Sequence, residues 1–334
     1  MKLARLRRRL VVLLLPLLVT ACERPQSALM PRADQAEAID RVWQVMAWTC
    51  TALYLLVLLA LAWAFVRRRR ETQREGVAAD GRLDKALVAW AVVIVGILSV
   101  FVTLSFLEDR RIRGSDADVD VRITAKQWWW QVEYLDDDPT QQFVTANELY
   151  LPRDRTTRIE LRSADVIHSF WVPSLGGKED LIPGRTNAVY VTPRRDGVYR
   201  GQCAEFCGLQ HAHMALDVVV HEGADFERWR AAQLRAAASP ATTRAVHGRS
   251  VFEQYACASC HTIRGTAAGG RTGPDLTHVA SRRRVAAGLL PVEASTLEAW
   301  IADPQHFKPG NQMPAVPLGG EDRAAVAEYL MGLK

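Results

Sequence analysis

Cys203-Ala-Glu-Phe-Cys207-Gly-Leu-Gln-His211-Ala-His213-Met214 sets two thiols, two imidazoles and a thioether within twelve residues. Thiolate and thioether favour Cu(I), and imidazole serves both copper oxidation states, so the mixture suits copper. Three residues separate the cysteines, which lets a tight loop turn both sulfurs toward one point. A mononuclear blue-copper site needs one cysteine, two histidines and a weak axial methionine. The second cysteine allows both sulfurs to bridge a pair of ions. A further histidine must then come from outside the stretch, and His168, in Asp165-Val-Ile-His168-Ser, is the candidate. The cysteine pair taken alone also fits a disulfide in an exported chain or a zinc site. His211 and Met214, following at short spacing, favour copper.

Around this loop the chain has a strand texture. Val119-Asp-Val-Arg-Ile-Thr124, Thr157-Arg-Ile-Glu-Leu161, Ala188-Val-Tyr-Val-Thr192 and Met214 to Val220 alternate in character, with Pro, Gly and Asp between them. This period-two pattern predicts a small β-sandwich or barrel over residues 111–238. The loop would join two late strands at one end, a usual place for a site on a rigid scaffold. In Gln127-Trp128-Trp129-Trp130 adjacent strand residues face opposite ways, so at least one indole is exposed or interfacial. Membrane-interface anchoring is one role open to Trp129. Ala224–Ala238 has a helical composition, and Ser239-Pro-Ala-Thr-Thr243 breaks it, which places a domain boundary there.

Residues 244–334 form a second domain, expected to be all-α. A helical pattern over Val246–Tyr255 leads into Cys257-Ala-Ser-Cys260-His261. Cys-x-x-Cys-His attaches a c-type heme: two thioethers fix the porphyrin and the histidine ligates iron. Zinc or a redox pair is the competing reading of the motif alone. Downstream lie Gly273-Pro-Asp-Leu and Lys308-Pro-Gly-Asn-Gln-Met313-Pro-Ala. Met313, in a loop stiffened by prolines, is the expected distal ligand, and a helix over Glu321–Leu333 closes the domain.

The N-terminal part is organised by apolar blocks. Residues 1–22 read as an export signal, with Lys2, Arg5, Arg7, Arg8 and Arg9 before an apolar run, and Val-Thr-Ala-Cys22 resembles a lipoprotein cleavage box. Residues 23–40 look like a short tether. Val42–Val66 and Ala86–Leu107 each exceed the about 20 residues a membrane-spanning helix needs, giving a tether-and-hairpin segment over residues 23–110. The loop between them carries Arg67, Arg68, Arg69, Arg70, Arg74, Arg82 and Lys85. By the positive-inside rule it is cytoplasmic, which puts both termini and both following domains outside. The net charge of +5 is concentrated in the leader and this loop and does not argue for nucleic acid. Of six cysteines, Cys22 lies in the leader, Cys50 in an apolar helix and the rest in the two motifs, so none is left to demand a structural disulfide.

Cys203-x-Glu205-x-Cys207-x3-His211-x2-Met214, with Asp165-Val-Ile-His168-Ser and Val172-Pro-Ser-Leu-Gly-Gly-Lys-Glu-Asp-Leu-Ile-Pro-Gly-Arg185, resembles subunit II of heme–copper cytochrome c oxidases over roughly residues 40–235. Residues 244–334 resemble a class I cytochrome c, as fused to that subunit in some bacteria. The resemblance implies a cupredoxin fold holding a dinuclear CuA centre. Cys203 and Cys207 would bridge the coppers, and His168 and His211 would cap one each. Met214 would ligate weakly, and Glu205 would lend its backbone carbonyl and, through its side chain, a magnesium site shared with subunit I. Trp128 would be where electrons enter, and the Pro274 carbonyl would accept the free N–H of His261. The implied activity is transfer of electrons through heme c and CuA to heme a of subunit I, for reduction of oxygen to water coupled to proton pumping in a bacterial inner membrane. Partners would be subunit I, subunit III and a c-type cytochrome donor.

The sequence departs from that pattern once. A glutamate is common a turn before a tryptophan at the start of the second span, and here the position before Trp90 is Leu87, so no proton role is transferred. His213, His221, His247, His278 and His306 have no spacing that demands a metal. Two readings from other classes are weaker: the paired spans argue against a free periplasmic shuttle, and the complete ligand sets argue against a subunit that has lost its metals. Subunit II of a CuA-containing nitric oxide reductase is the nearer rival, because the catalytic subunit sets the substrate.

Overall fold

The computed structural model describes residues 26–70, 81–112 and 116–334. The leader, Cys22 and residues 71–80 of the arginine-rich loop lie outside the described residues. The chain divides into two compact units, Glu37–Gly114 and the remainder.

The smaller unit is built on two helices, Asp34–Arg70 (α1) and Gly81–Ile112 (α2). Both are long and apolar enough to cross a membrane, and the most apolar 18-residue window of each is not buried at all by the protein. Each helix runs past the apolar block read from the sequence. Hydropathy marks only the length that hydrocarbon would cover, whereas helical backbone bonding continues into flanking Ala, Glu, Arg and Lys, all good helix formers. Arg41, near the start of one, meets Glu108, near the end of the other, at 2.8 Å, as an antiparallel pair requires.

In the larger unit, ten strands form two five-stranded sheets that pack as a sandwich, in the orders β3-β2-β1-β5-β8 and β4-β10-β9-β6-β7. The first sheet uses Val119–Lys126 (β1), Trp129–Leu135 (β2), Phe143–Ala146 (β3), Thr157–Ser163 (β5) and Asn187–Val191 (β8). The second uses Glu148–Pro152 (β4), His168–Trp171 (β6), Glu179–Leu181 (β7), Gly197–Cys203 (β9) and Ala215–His221 (β10). In β2 burial alternates along the strand, so Val132 and Tyr134 enter the core with Val121, Ile123, Leu149 and Leu161. Tyr134 ties the sheets together: its hydroxyl donates to the Tyr150 carbonyl at 2.8 Å and accepts the Tyr150 N–H at 2.7 Å. A helix over Gly223–Gln233 (α3) closes one end by stacking Trp229 on Tyr150, ring centroids 4.1 Å apart.

The described part of the stretch read as a tether is not free of the sandwich. Ala33 is fully buried and pairs with Pro193, and Arg32 N–H donates to the Ser174 carbonyl at 2.8 Å. Small, unbranched Ala33 fits a gap at the sheet edge, which composition alone does not reveal.

The last domain consists of helices Thr243–Gln254 (α4), Cys257–Cys260 (α5), Ala294–Ala302 (α6), Pro304–Phe307 (α7) and Gly320–Met331 (α8), with irregular loops and, departing from an all-α domain, a short antiparallel pair of Arg284–Val285 and Leu290–Pro291. α4 crosses α8 at Gly248, where an added Cβ would lie 2.0 Å from the Ala325 carbonyl oxygen. Only glycine permits that approach.

Candidate metal and heme centres

β6, β9 and the loop from β9 to β10 converge at one end of the sandwich. β9 ends on Cys203 and β6 begins on His168, and the two strands are hydrogen-bonded neighbours. A 3₁₀ turn over His211–His213 then brings Met214 back into the core, fully buried. The result gathers every copper-ligand candidate except the Glu205 side chain. The Cys203 and Cys207 sulfurs lie 3.7 Å apart. His168 Nδ1 is 3.9 Å from the Cys203 sulfur, and His211 Nδ1 is 3.7 Å from that of Cys207. Met214 Sδ is 3.9 Å from the Cys207 sulfur, and the Glu205 carbonyl oxygen is 3.1 Å from that of Cys203. The ligand atoms of His168, Cys203 and Cys207 all lie within 4.8 Å of one another. Two thiols, two imidazoles, a thioether and a carbonyl facing one point, with the cysteines unpaired, fit a thiolate-bridged copper pair.

The two sulfurs are hydrogen-bonded to each other. The hydrogen bond between them holds the Cys203 thiol far below its ordinary range and, with burial, pushes that of Cys207 far above it. Burial of His168 opposes its protonation, but hydrogen bonds with Cys203 and Asp165 outweigh it and raise the imidazole. Asp165 fixes the ring: its Oδ1 accepts from His168 Nε2 at 2.7 Å, which leaves Nδ1 toward the sulfurs. Its Oδ2 accepts the Gln127 N–H at 2.6 Å, so the same carboxylate anchors the turn between β1 and β2 that carries Trp128.

Those tryptophans divide by environment. Trp130 is fully buried and sits edge-on to His168, with centroids 6.3 Å apart. Trp128 is 8% exposed, and its Nε1–H donates to the Cys207 carbonyl at 2.9 Å. Gln127 Nε2 donates to the same oxygen at 2.8 Å. Trp129, the partly exposed member, lies under the Lys126 ammonium, 4.8 Å from the ring centre. It also forms part of the wall of the cavity in the helical domain.

That cavity is bounded by Cys257, Cys260, His261 and Met313 on the helical side and by Gln127, Trp128 and Trp129 on the sandwich side. His261 Nδ1–H donates to the Pro274 carbonyl at 2.8 Å, which directs Nε2 inward. Burial pushes this imidazole below its usual value and keeps it neutral, as a metal ligand must be. Gly273 cradles the ring: an added Cβ would stand 2.6 Å from His261 Cε1. Arg282, in the same wall, is 8% exposed; its Nη2 donates to the Asp275 carbonyl, and its Nε has no hydrogen-bond partner among the described residues. A buried, partly unsatisfied cation in a mostly apolar wall that Lys308 and Arg284 also line, beside two thiols, an imidazole and a thioether, fits a carboxylate-bearing porphyrin.

Sequence reading did not reach Asp165 as an orienting group, Trp129 as a cavity wall or Arg282 as its cation. Glu205 is exposed, with its side chain outside the copper cluster. His213, inside the copper loop, has its Nδ1 paired with Gln210 Oε1 at 2.8 Å. His278 donates to the Arg235 carbonyl at 3.1 Å.

Two family profiles match the chain: "Cytochrome C oxidase subunit II, periplasmic domain" over residues 135–222 and "Cytochrome c" over residues 245–334. Cytochrome c oxidase subunit 2 of Alkalihalophilus pseudofirmus is 34% identical, with 96% of this chain and 95% of that protein aligned. The protein of the same name from Bacillus subtilis is 28% identical, with 97% of each aligned. Among solved structures, the periplasmic domain of subunit II of cytochrome oxidase from Bradyrhizobium japonicum is 32% identical over 36% of this chain and 95% of that one, with a TM-score of 0.34.

Proposed function

The chain belongs to the cytochrome c oxidase subunit II family and carries a fused cytochrome c domain, and from that premise we propose that it carries electrons from heme c through CuA toward heme a of subunit I. The observation that carries this reading is Trp128. One face of its indole lines the cavity of Cys257, Cys260 and His261, and its Nε1–H is bonded to the carbonyl of Cys207. A single side chain therefore touches both centres.

When bound, the heme and the copper pair supply the electron-carrying orbitals, passing one electron at a time with no bond made or broken. The protein supplies position. Cys257 and Cys260 would anchor the porphyrin, His261 and Met313 would ligate iron, and Arg282 would meet a propionate. Cys203 and Cys207 would bridge the coppers, with His168, His211, Met214 and the Glu205 carbonyl completing the set. The exposed Glu205 carboxylate would serve a magnesium ion shared with subunit I. Oxygen reduction and proton pumping would belong to the partner subunits, because neither apolar helix contains a histidine to hold a further heme. The arginine-rich loop argues for a cytoplasmic hairpin turn, with both metal domains outside the bacterial inner membrane and Cys22 as a lipid anchor. A c-type cytochrome would be the donor.

Metal analysis and a pyridine hemochrome assay on the purified oxidase test the assignment. The expected inventory is a copper pair in this subunit and one covalent heme c. A single copper in the subunit would sink the dinuclear site.

A further inference from the structure

Lys308 stands in the loop that leads to Met313 and lines the heme cavity with it, while its ammonium turns to the backbone of the sandwich. It is 3% exposed and carries a charge into the boundary between the helical domain and the sandwich. Its Nζ donates to three backbone carbonyls: Trp128 at 2.7 Å, His213 at 2.9 Å and Ala286 at 3.2 Å. Two of these oxygens belong to the sandwich, one from the turn between β1 and β2 and one from the copper loop. The third belongs to the helical domain. Burial disfavours the cation, but an ammonium has three protons for three oxygens, whereas a neutral amine has two. No side-chain carboxylate takes part, so the contact depends on geometry rather than on a charge partner.

The residues that follow Lys308 continue the contact. Gln210 Nε2, from the copper loop, donates to the Pro309 carbonyl at 2.8 Å. Gly310 lies against the indole of Trp128, where an added Cβ would be 3.5 Å from Cη2, and against Leu209 at 3.3 Å. The heme's expected distal loop thus rests on the copper loop and on the tryptophan between them. A second set of contacts lies beside it: Ala215 N–H donates to the Ala287 carbonyl at 3.1 Å, and Arg283 N–H to Glu148 Oε1 at 2.5 Å.

We propose that Lys308 is a positioning residue for electron transfer: its three-carbonyl contact pins the heme domain to the copper loop and sets the docked state in which Trp128 bridges the two centres. The proposal rests on the heme-to-copper order given above. It differs from a role in holding the heme, because every acceptor of Lys308 is backbone and two of the three lie in the other domain. It also implies that an external donor does not reach Trp128 directly, since Lys308–Gly310 cover it. The electron arriving at the copper site is the one leaving heme c, and no proton or bond changes at Lys308.

Lys308→Met in the whole oxidase tests this. Methionine keeps length and apolar bulk while leaving one buried and two part-buried carbonyls without this donor, a loss expected to lower the docked population by about tenfold or more. Heme and near-infrared copper spectra should stay as in the parent. Rapid-mixing reduction should show heme c reduced at the parental rate and copper reduced about tenfold more slowly. Hydrogen exchange supplies a readout independent of turnover: the amides of Ala215 and Arg283 should exchange faster, while those in the core of β1 and β5 stay protected. Unchanged copper reduction with both spectra intact would overturn the proposal, as would slowed transfer with unchanged exchange at both amides. Altered metal spectra would also overturn it, by showing that Lys308 supports a metal loop instead. Failure of the heme-to-copper order itself is separable, because the parent would then show copper reduced no later than heme c.

Discussion

Replacing Asp165 by Asn isolates the outer support of the copper site with almost no change in shape. The carboxylate makes three bonds, with Oδ1 facing His168 Nε2 at 2.7 Å and Val166 N at 2.7 Å, and Oδ2 facing Gln127 N at 2.6 Å. An amide has one acceptor oxygen and one NH2. If its oxygen faces His168 and Val166, the NH2 opposes the Gln127 N–H; if it is flipped, the NH2 opposes His168 and frees the imidazole to change tautomer. Either way a part-buried donor loses its acceptor, at about 1–3 kcal/mol. Loss of the outer partner of a metal-ligating histidine lowers affinity by about 10–100-fold, which is about 1.4–2.7 kcal/mol. The two routes agree. Competition with a copper chelator, followed through the near-infrared absorption, reads the affinity. The heme spectrum is an internal control, since Asp165 does not line the heme cavity. Copper affinity within about threefold of the parent would refute the idea that this carboxylate sets the His168 tautomer.

Met313→Ala should leave the copper absorption unchanged and turn the heme high-spin or misligated with a lower potential; a normal low-spin spectrum would move the distal ligand elsewhere. Stability should fall with pH on account of Glu148, a buried carboxyl at the boundary between the domains. Burial raises it from 4.5 to about 7, against the opposing pull of the Arg283 N–H. Because the folded value lies above the unfolded one, the folded state binds the extra proton: its contribution is fully present below 4.5 and is lost as pH rises through about 7. The slope across that window is up to about 1.4 kcal/mol per pH unit, and Glu148→Gln should flatten it in thermal unfolding series; parallel profiles for parent and variant would count against the assignment.

How much of this could be read from the chain follows from where the information is stored. The proposed copper ligands lie in one short loop plus one histidine, and ligand chemistry is a property of side-chain type, so Cys203, Cys207, His211 and Met214 stand out together. The heme motif does the same at Cys257, Cys260 and His261. The sandwich was legible from its alternating runs, and β1 alternates in burial from Val121 onward, whereas β10 is buried along nearly its whole length, which alternation does not report. Element ends were less legible: hydropathy gave the apolar part of α1 and missed the turns from Asp34 onward, where polar residues keep the helix going. Asp165 stood inside a motif but acts through a neighbour, so its residue type alone did not say what it orients.

Lys308 was hidden more deeply. Its acceptors are backbone carbonyls of residues 128, 213 and 286, and every residue has a carbonyl, so no pattern in the chain marks them. Glu148 shows the same thing from the other side, since its partner is the Arg283 N–H. Contacts between the domains are thus written largely in side chain to backbone bonds, whereas each metal site is written in side chains. A sequence can therefore disclose two redox centres while leaving unsaid how they are held together. That division also predicts which changes are tolerated: the copper and heme motifs must keep their residue types, while residues presenting only a carbonyl, such as Ala286, can vary in side chain as long as the backbone path is kept. Ala286 has φ of +53°, so there the tolerated replacements are those that accept a left-handed backbone, Gly and Asn before any β-branched residue.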